Sequence, residues 1–285
     1  MRPRALVAAL HDATLVPPVR GRSDVVDGFD LDRAQARALR RWAQRHIRDL
    51  QEGLYAEGTR SLLVVLQGLD TAGKDGTLRR VFRLASQQGV RVASFKVPTP
   101  LEARHDFLWR IHQHTPVAGE IAVFNRSHYE DLIVPSANGA LGPEQLDERV
   151  RAIEAFERHL VASGTSVVKL FLDVSYQVQG ERLLERLEQP SKHWKFSEGD
   201  LATRERFDRF RAAYDLVLER TSFDIAPWHR IPADRRWYRN AVASAVVVQV
   251  LLALDPHPPV VEIEHLKRIE QQLRAELASG DGARA

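Results

Sequence analysis

The stretch that decides the fold of this chain is Leu62-Leu-Val-Val-Leu66, followed at once by Gln67-Gly-Leu-Asp-Thr-Ala-Gly-Lys-Asp-Gly-Thr77. The second part contains Gly-x4-Gly-Lys, the spacing of a phosphate-binding loop, in which backbone N–H groups surround phosphate oxygens and the lysine reaches the outer phosphates. The apolar run predicts a buried strand before the loop. A helix that begins near Gly76 would add the positive end of its dipole to the same site. The sequence therefore predicts phosphoryl chemistry at Lys74.

Two carboxylates make this loop a variant. Asp75 follows the lysine, where the common loop carries the Ser or Thr whose hydroxyl binds magnesium. Asp70 lies inside the loop, and we interpret it as a magnesium ligand or as a base near the transferred phosphoryl group. The alternative is an aspartate that only hydrogen-bonds within the loop.

Bulk composition narrows the class of protein. The chain has 285 residues, 44% of them apolar, which is enough for a substantial core. It has no cysteine, which excludes a disulfide framework, a thiolate metal site and a cysteine nucleophile. A net charge of +3, from 41 basic and 38 acidic residues, suggests an anionic ligand without requiring nucleic acid.

The longest apolar segment, at 241–254, is interrupted by Ser244 and Gln249. It is shorter than the ~20 residues that cross a bilayer, so we expect a buried helix and no membrane association. The first residues imitate a signal peptide, but the apolar stretch 5–10 is short and is followed at once by His11 and Asp12, so we expect a cytoplasmic protein.

The order of apolar runs predicts an α/β fold. Nearly unbroken apolar strands separated by helical patterns indicate a parallel sheet covered on both faces, here of about five strands. Beyond the first strand, we predict strands at 90–97, 120–124, 166–173 and 228–231. The predicted helices span 32–55, 76–86, 101–114, 143–163, 178–187, 240–254 and 261–277, with Asp200 as the N-cap of one more.

We expect one main domain with appendages. An N-terminal arm and helix occupy 1–55, the first thirty residues being irregular. The core covers 56–256 and includes a lid at about 182–200. A C-terminal helix and a tail that looks disordered from Gly280 occupy 257–285.

A second polar cluster follows the strand at 120–124. Asn125 and Arg126 stand at its end, and Glu130 and Asp131 come shortly after. This places polar groups at the carboxyl edge of the sheet, where open α/β folds bind ligands. Arg126 suits bidentate binding of a phosphate. The alternative is an ordinary solvated loop.

A third cluster is basic. Arg182 and Arg186 lie one helical turn apart, and Lys192 and Lys195 follow the helix-ending Pro190. Such a cluster is typical of a mobile lid that closes on a polyanionic substrate and supplies charge to the transition state. A solvated basic helix end is the alternative.

Together, these motifs make the chain recognisable. The loop at 68–76, Phe124-Asn-Arg-Ser-His-Tyr-Glu-Asp131, Pro190-Ser-Lys-His-Trp-Lys195 and Ala226-Pro-Trp-His-Arg-Ile-Pro-Ala-Asp234 resemble, in order, the polyphosphate kinase family 2. The resemblance covers roughly residues 51–254. The sequence Ser-His-Tyr-Glu-Asp is similar to the corresponding motif of the subgroup that phosphorylates both AMP and ADP.

The resemblance implies a three-layer P-loop kinase fold with a helical lid, and reversible transfer of the terminal phosphoryl group of inorganic polyphosphate to AMP, ADP or both. It implies Mg²⁺ as the metal, with Mn²⁺ as a substitute. The base selectivity stays open on the sequence, so guanine nucleotides are kept as alternative acceptors. Members commonly form homodimers or homotetramers.

The resemblance also assigns roles to residues. It implies that Lys74 and the loop hold phosphates, that Asp70 binds metal or orients the acceptor, and that Asp131 is a second metal ligand. The expected charge-neutralising residues are Arg126, Arg182 and Arg186, with Lys192 and Lys195 on polyphosphate. The expected substrate contacts are Gly68, Ala72, Gly73, Asp75, Gly76, Thr77, Asn125, Glu130 and Asp131.

Two other functions remain open on the sequence. An ATP-dependent nucleoside monophosphate kinase would share the loop and the basic lid. A non-catalytic binder of nucleotides or polyphosphate is the other, because a P-loop scaffold alone does not establish catalysis.

Overall fold

The fold centres on one five-stranded parallel sheet. The structure is a computed structural model that describes residues 3–15, 26, 29–195 and 198–278. The strand order is β2-β3-β1-β4-β5, and each neighbouring pair is parallel. The strands are β1 (Ser61–Gln67), β2 (Val90–Ser94), β3 (Ile121–Asn125), β4 (Thr165–Asp173) and β5 (Trp228–Pro232). The predicted α/β class and strand count are confirmed.

The central strands are buried because helices cover both faces of the sheet. Every residue of β1 is buried, as expected for a strand made almost wholly of Leu and Val. β1 pairs with β3 on one side and β4 on the other, with Leu66 opposite Asn125 and Leu170. The carboxyl ends of these three strands therefore meet at one edge, where the polar loops begin.

Helices form the outer layers. The helix α10 packs against β4 and β5, and α2 and α3 pack beside it. On the other face α6 packs against β4, and α5 packs against α9. The helices are α1 (Pro3–Ala13), α2 (Arg33–Glu57), α3 (Lys74–Val81), α4 (Trp109–His112), α5 (Glu130–Ala137), α6 (Pro143–Ala162), α7 (Tyr176–Glu188), α8 (Glu198–Glu205), α9 (Phe207–Arg220), α10 (Arg236–Leu254) and α11 (Ile263–Ala278). A 3₁₀ segment, Pro190–Lys195, continues the predicted lid after α7.

The start of α2 follows the prediction closely. Asp32 is its N-cap, and its carboxylate accepts hydrogen bonds from the backbone N–H groups of Ala34 and Gln35. The Gln35 side chain in turn accepts from the Asp32 N–H, completing a capping box.

Three local predictions are wrong. We predicted an irregular arm at the N-terminus, but residues 3–13 form α1. The helix forms because Val7 and Leu10 bury its apolar face against α10. Asp200 lies inside α8 instead of capping a helix. The predicted helix at 101–114 is reduced to a 3₁₀ turn (Glu102–Arg104) and the single turn α4. The predicted disordered tail at 280–285 lies outside the described residues.

The apolar helix α10 belongs to the core, as predicted. Among the described residues, α10 is the single helix whose length and apolar composition would allow it to span a membrane. However, 67% of its most apolar window is buried inside the protein. It contacts α2, α1, β4 and β5.

Candidate active site

The loop between β1 and α3 has the backbone geometry of a phosphate cradle. Gly68 and Gly73 have positive φ angles of 152° and 97°, and Thr71 between them has 66°. A Cβ at Gly68 would lie 2.8 Å from the Leu172 carbonyl oxygen, and one at Gly73 would lie 2.0 Å from a guanidinium nitrogen of Arg239. Both glycines are therefore required by conformation and by space.

Lys74 is folded back over this loop. Its Nζ donates to the carbonyl oxygens of Gly68 (2.6 Å) and Leu69 (3.3 Å). Burial and the nearby Arg126 together lower the pKa of Lys74 to about 8, against the opposing charge of Asp70. The ammonium thus occupies the mouth of the loop, where an anion would stabilise its charge.

Arg126 links the loop to α5. One guanidinium nitrogen donates to Asp70 Oδ1 (2.6 Å) and another to Glu130 Oε2 (3.3 Å). Burial opposes ionisation of Asp70, but Lys74, Arg126 and Arg186 outweigh it and hold its pKa below the ordinary value. Burial raises the pKa of Glu130, against the opposing charges of Arg126 and Lys74. Opposite charges therefore alternate at the carboxyl edge of β1 and β3.

Asp75 and Asn125 face each other across the same edge. The Asn125 amide donates to Asp75 Oδ1 (2.9 Å), so the residue in the usual hydroxyl position of the loop is tied to the end of β3. Gly76 and Thr77 follow within the first turn of α3, and the Thr77 side chain is buried. Ala72 is also buried, and its carbonyl oxygen accepts a hydrogen bond from Arg239.

Arg182 lies behind the loop. Its guanidinium donates to the carbonyl oxygens of Thr71 (3.0 Å), Ala233 (2.8 Å) and Asp234 (2.7 Å), and more weakly to that of Ala72 (3.5 Å). Burial lowers its pKa to about 10. These contacts hold the loop against the segment after β5, which is a positioning role and differs from the direct charge neutralisation that the resemblance implies.

Arg239 is a loop-supporting residue that the sequence did not identify. It is 3% exposed and donates to the Ala72 carbonyl oxygen (2.8 Å), beside Gly73. Burial lowers its pKa to about 9, and the charges of Arg182 and Arg236 act in the same direction. Two buried guanidinium groups, neither paired with a carboxylate among the described residues, thus lie directly behind the phosphate loop.

The basic residues of the predicted lid lie at different distances from the phosphate loop. Arg186 is close enough to Asp70 to lower its pKa. Lys192 lies further out, where its Nζ is 2.8 Å from Glu185 Oε1. The Lys195 side chain lies outside the described part of the structure. The Arg182 and Arg186 side chains, although one turn apart, therefore reach different places.

An open cleft of about 480 Å³ adjoins the loop. Asp70, Arg126, Glu130 and Asp131 line its polar side. Its less polar side is formed by residues at the end of β2, in α5 and in α8–α9: Phe95, Val97, Pro98, Ile133, Val134, Pro135, Ala202, Phe210 and Tyr214. A charged end beside an apolar wall suits a phosphorylated ligand that carries an aromatic group.

Arg110 is another residue that the sequence missed. It is 6% exposed in the cleft wall, where it donates to Asp131 Oδ2 (3.2 Å) and to the Lys96 carbonyl oxygen (2.8 Å). Burial raises the pKa of Asp131, and Arg110 opposes that rise. Arg110 falls in the segment wrongly predicted as one long helix, so no local signal placed it at the site.

A buried polar network lies beneath α5. The Lys169 ammonium, in the middle of β4, donates to Glu157 Oε2 (2.8 Å), Tyr129 Oη (2.8 Å) and the Thr221 carbonyl oxygen (2.7 Å). Tyr129 also donates to Glu157 Oε1 (2.7 Å). The chain directly before Glu130 and Asp131 is thereby fixed to the sheet.

Known proteins with similar sequences and folds match most of this chain. The family description "Polyphosphate kinase 2 (PPK2)" matches residues 30–257. The AMP/ADP-polyphosphate phosphotransferase of Meiothermus ruber is 47% identical over 218 residues, which cover 76% of this chain and 82% of that protein. The ADP-polyphosphate phosphotransferase of Rhodopseudomonas palustris is 36% identical over 263 residues, 87% and 91% of the two chains. The crystal structure of polyphosphate kinase 2 from Arthrobacter aurescens TC1 superposes with a TM-score of 0.87 at 36% identity, covering 92% of this chain and 96% of that one.

Proposed function

Because this chain belongs to the polyphosphate kinase 2 family, we propose that it is a kinase that transfers the terminal phosphoryl group of inorganic polyphosphate to AMP, ADP or both. The observation that carries the proposal is the position of Arg126. It joins Asp70 of the phosphate loop to Glu130 of α5 at the polar end of the cleft.

The chemistry asks for positioning and neutralised charge. An oxygen of the acceptor's terminal phosphate attacks the terminal phosphorus of polyphosphate. A new P–O bond forms as the terminal anhydride P–O bond breaks, and the chain shortened by one phosphate leaves. Such transfers need no covalent protein nucleophile, and their rate comes from alignment and from cations at the developing negative charge. Lys74, Arg126 and Arg186 supply those cations.

The cleft suits the nucleotide. Its apolar wall, with Val97, Val134 and Phe210, can take a base, and its polar end leads to Asp70. Adenine nucleotides are the acceptors named for the relatives in Meiothermus ruber and Rhodopseudomonas palustris. A GDP-polyphosphate phosphotransferase of Mycolicibacterium smegmatis is 34% identical over 206 residues, so guanine nucleotides belong in the same test.

We also propose Mg²⁺ as the metal. Asp70 Oδ1 is bound by Arg126, and Asp70 lines the cleft, which leaves its second oxygen as a donor. Among the described residues, no group of three or more His, Cys, Asp or Glu side chains is arranged so that it could hold a metal ion by itself. That fits Mg²⁺, which is usually held by one or two carboxylates together with substrate phosphates. When bound, the ion would neutralise phosphate charge. Asp131 is the second ligand we propose, and Mn²⁺ the substitute metal.

Donor exchange tests the function. Purified protein is supplied with Mg²⁺, AMP or ADP, and either long-chain polyphosphate or ATP as donor. We expect ADP or ATP to form from polyphosphate. An ATP-dependent monophosphate kinase would instead use ATP with AMP and ignore polyphosphate.

A non-catalytic binder gives a third result. It would bind polyphosphate or nucleotide tightly and show no turnover with AMP, ADP, GMP or GDP.

The oligomeric state and the location need separate tests. Size-exclusion chromatography with light scattering on the same preparations tests the expected homodimer or homotetramer. Cell fractionation tests the expected cytoplasmic location.

A further inference from the structure

Side-chain cations bind four of the carbonyl oxygens in the phosphate loop. The donors and acceptors are Lys74 with Gly68 and Leu69, Arg182 with Thr71, and Arg239 with Ala72. A carbonyl oxygen turned toward a phosphate would repel it, because both carry negative charge. These contacts therefore hold the loop with its carbonyl dipoles directed at cations.

Arg239 fixes the direction of one peptide group in this loop. Its guanidinium donates to the Ala72 carbonyl oxygen at 2.8 Å. In a planar trans peptide the C=O and the following N–H point in opposite directions, so the Gly73 N–H is directed away from Arg239. The Ala72 N–H donates to the Leu69 carbonyl oxygen (3.1 Å), whereas the Gly73 N–H takes part in none of the hydrogen bonds among the described residues. The Gly73 N–H is thus available to a ligand.

The Arg239 guanidinium lies against the beginning of α3. A Cβ at Gly73 would lie 2.0 Å from one of its nitrogens, and a Cβ at Gly76 would lie 3.3 Å from another. The start of a helix carries the positive end of the helix dipole, so a further positive charge there is unfavourable. The two glycines therefore leave room for a cation at a place where the helix by itself favours an anion.

No carboxylate among the described residues neutralises Arg239. It is 3% exposed, and the charges that act on it, those of Arg182 and Arg236, have the same sign as its own. Burial of a cation costs desolvation free energy, which a partner of opposite charge normally offsets. The negative charge that this arrangement lacks has to come from outside the chain.

We propose that Arg239 is a positioning residue for the phosphoryl donor: it directs the Gly73 N–H into the loop, and the donor phosphate bound there supplies the negative charge that the buried guanidinium lacks. This inference rests on the proposed function for the identity of the anion. Arg239 acts through the peptide group between Ala72 and Gly73 and does not touch the phosphate. Its hydrogen bond to the Ala72 carbonyl oxygen also polarises that peptide, which strengthens the Gly73 N–H as a donor.

Two substitutions separate the charge of Arg239 from its hydrogen bond. Arg239→Gln keeps an amide that can donate to a carbonyl oxygen but removes the charge, and Arg239→Lys keeps the charge on a compact ammonium. The matched control is Arg230→Gln in β5, which removes an equal charge from a part-buried arginine that pairs with Asp173 and Asp215. A general effect of net charge would appear in the control as well.

The first readout is the dissociation constant for tripolyphosphate, measured by isothermal titration without nucleotide. We expect an increase of about tenfold or more in Arg239→Gln, because a buried charge next to the anion is lost. Arg239→Lys should recover most of the affinity, and Arg230→Gln should change it by less than about twofold. Equal losses in Arg239→Gln and Arg239→Lys, or in Arg239→Gln and the control, would overturn the proposal.

Asn240→Asp tests the same charge without removing the arginine. The Asn240 side-chain oxygen already accepts from Arg239 Nε (3.2 Å) and from a second guanidinium nitrogen (3.0 Å), so an aspartate keeps the shape and supplies the missing carboxylate. We expect an unfolding temperature at least equal to that of the wild type, because the buried cation gains a partner, but tripolyphosphate binding weaker by about tenfold. Wild-type affinity in Asn240→Asp would overturn the proposal even if Arg239→Gln did not fold.

Kinetics separate this inference from the proposed function. In Arg239→Gln and Asn240→Asp the KM for polyphosphate should rise, while the KM for ADP changes by less than about twofold. If the wild type makes neither ADP nor ATP but tripolyphosphate binding still falls in both variants, the proposed function fails and the role of Arg239 stands. Equal increases in the two KM values would indicate a general disturbance of the site and would contradict the inference.

Discussion

Arg126 adopts a left-handed backbone conformation, with φ at 63°. That conformation is uncommon for a side chain of this size and is found mostly where the surrounding structure enforces it. Here the Arg126 N–H donates to the Leu66 carbonyl oxygen (3.0 Å), and the guanidinium reaches Asp70 and Glu130. The turn after β3 is thus held in an unfavourable backbone conformation that places the Arg126 guanidinium between two carboxylates.

Lys74 predicts a pH dependence. In the free protein its pKa is about 8, chiefly because of burial, so the ammonium loses its proton as the pH rises through that value. Loss of the charge should weaken binding of the anionic donor. We expect kcat/KM for polyphosphate to fall above about pH 8, since this ratio reports ionisations of the free enzyme.

The Lys74→Arg variant serves as the control for this pH profile. Arginine stays charged throughout the range, so the variant, although slower, should lose the decrease near pH 8. A decrease at the same pH in Lys74→Arg would assign it to another group.

At the scale of single elements, β4 and α6 are joined by a buried ion pair. Lys169 and Glu157 are both 0% exposed, and their 2.8 Å contact lies under the segment that carries Glu130. A buried pair is weak support by itself, but removing one partner leaves an uncompensated charge. We expect Lys169→Met to lower the free energy of unfolding by about 3–5 kcal/mol in urea denaturation.

A double variant checks the cause. Lys169→Met with Glu157→Gln should recover a large part of the lost stability, because no charge then remains buried. Similar losses in the single and double variants would point to packing instead. Arg158→Met at the exposed Arg158–Glu154 pair should cost no more than about 1 kcal/mol.

Local sequence is misleading where side chains compete for the backbone. In the segment predicted as one helix at 101–114, Glu102 accepts from the Thr99 N–H and Asp106 accepts from the Leu108 N–H. These bonds start two separate turns, because short polar side chains offer the backbone an alternative to a continuous helix. The β1 loop was predictable for the opposite reason, since its strand, glycines and lysine are contiguous.

Residues that act through long-range contacts were not predictable in this way. Arg239 lies 166 positions after Gly73, and only packing of α10 against the loop reveals its contact. Lys169 interrupts an otherwise apolar strand, but its partners Tyr129 and Glu157 come from other elements.

On the scale of the whole molecule, the residues that directly follow α1 lie along β5, the edge strand of the sheet. Arg230 N–H donates to the Thr14 carbonyl oxygen (2.8 Å), and Thr14 Oγ1 is 3.0 Å from Nδ1 of the buried His229. Burial lowers the pKa of His229 to about 3, and the neighbouring His11 contributes. The N-terminal helix is therefore docked against a neutral imidazole.

This contact predicts acid sensitivity. The unfolded chain binds a proton at His229 near pH 6.5, whereas the folded chain does so only near pH 3, so stability falls as the pH drops through this window. Between pH 7.5 and pH 5 the loss from this residue is about 2 kcal/mol. Urea denaturation of the wild type and of His229→Gln should show a smaller pH dependence in the variant. Parallel pH curves for the two proteins would contradict the assignment.

The central claim is polyphosphate-driven nucleotide phosphorylation at the loop that holds Asp70. The most direct measurement is ATP formation from ADP and long-chain polyphosphate with Mg²⁺, comparing the wild type with Asp70→Asn. The account predicts ATP formation by the wild type and a rate at least about 10² lower in the variant, because the substitution weakens the proposed metal ligand and the ion pair that positions Arg126. Wild-type ATP formation no higher than that of Asp70→Asn, with AMP also unphosphorylated, would contradict it.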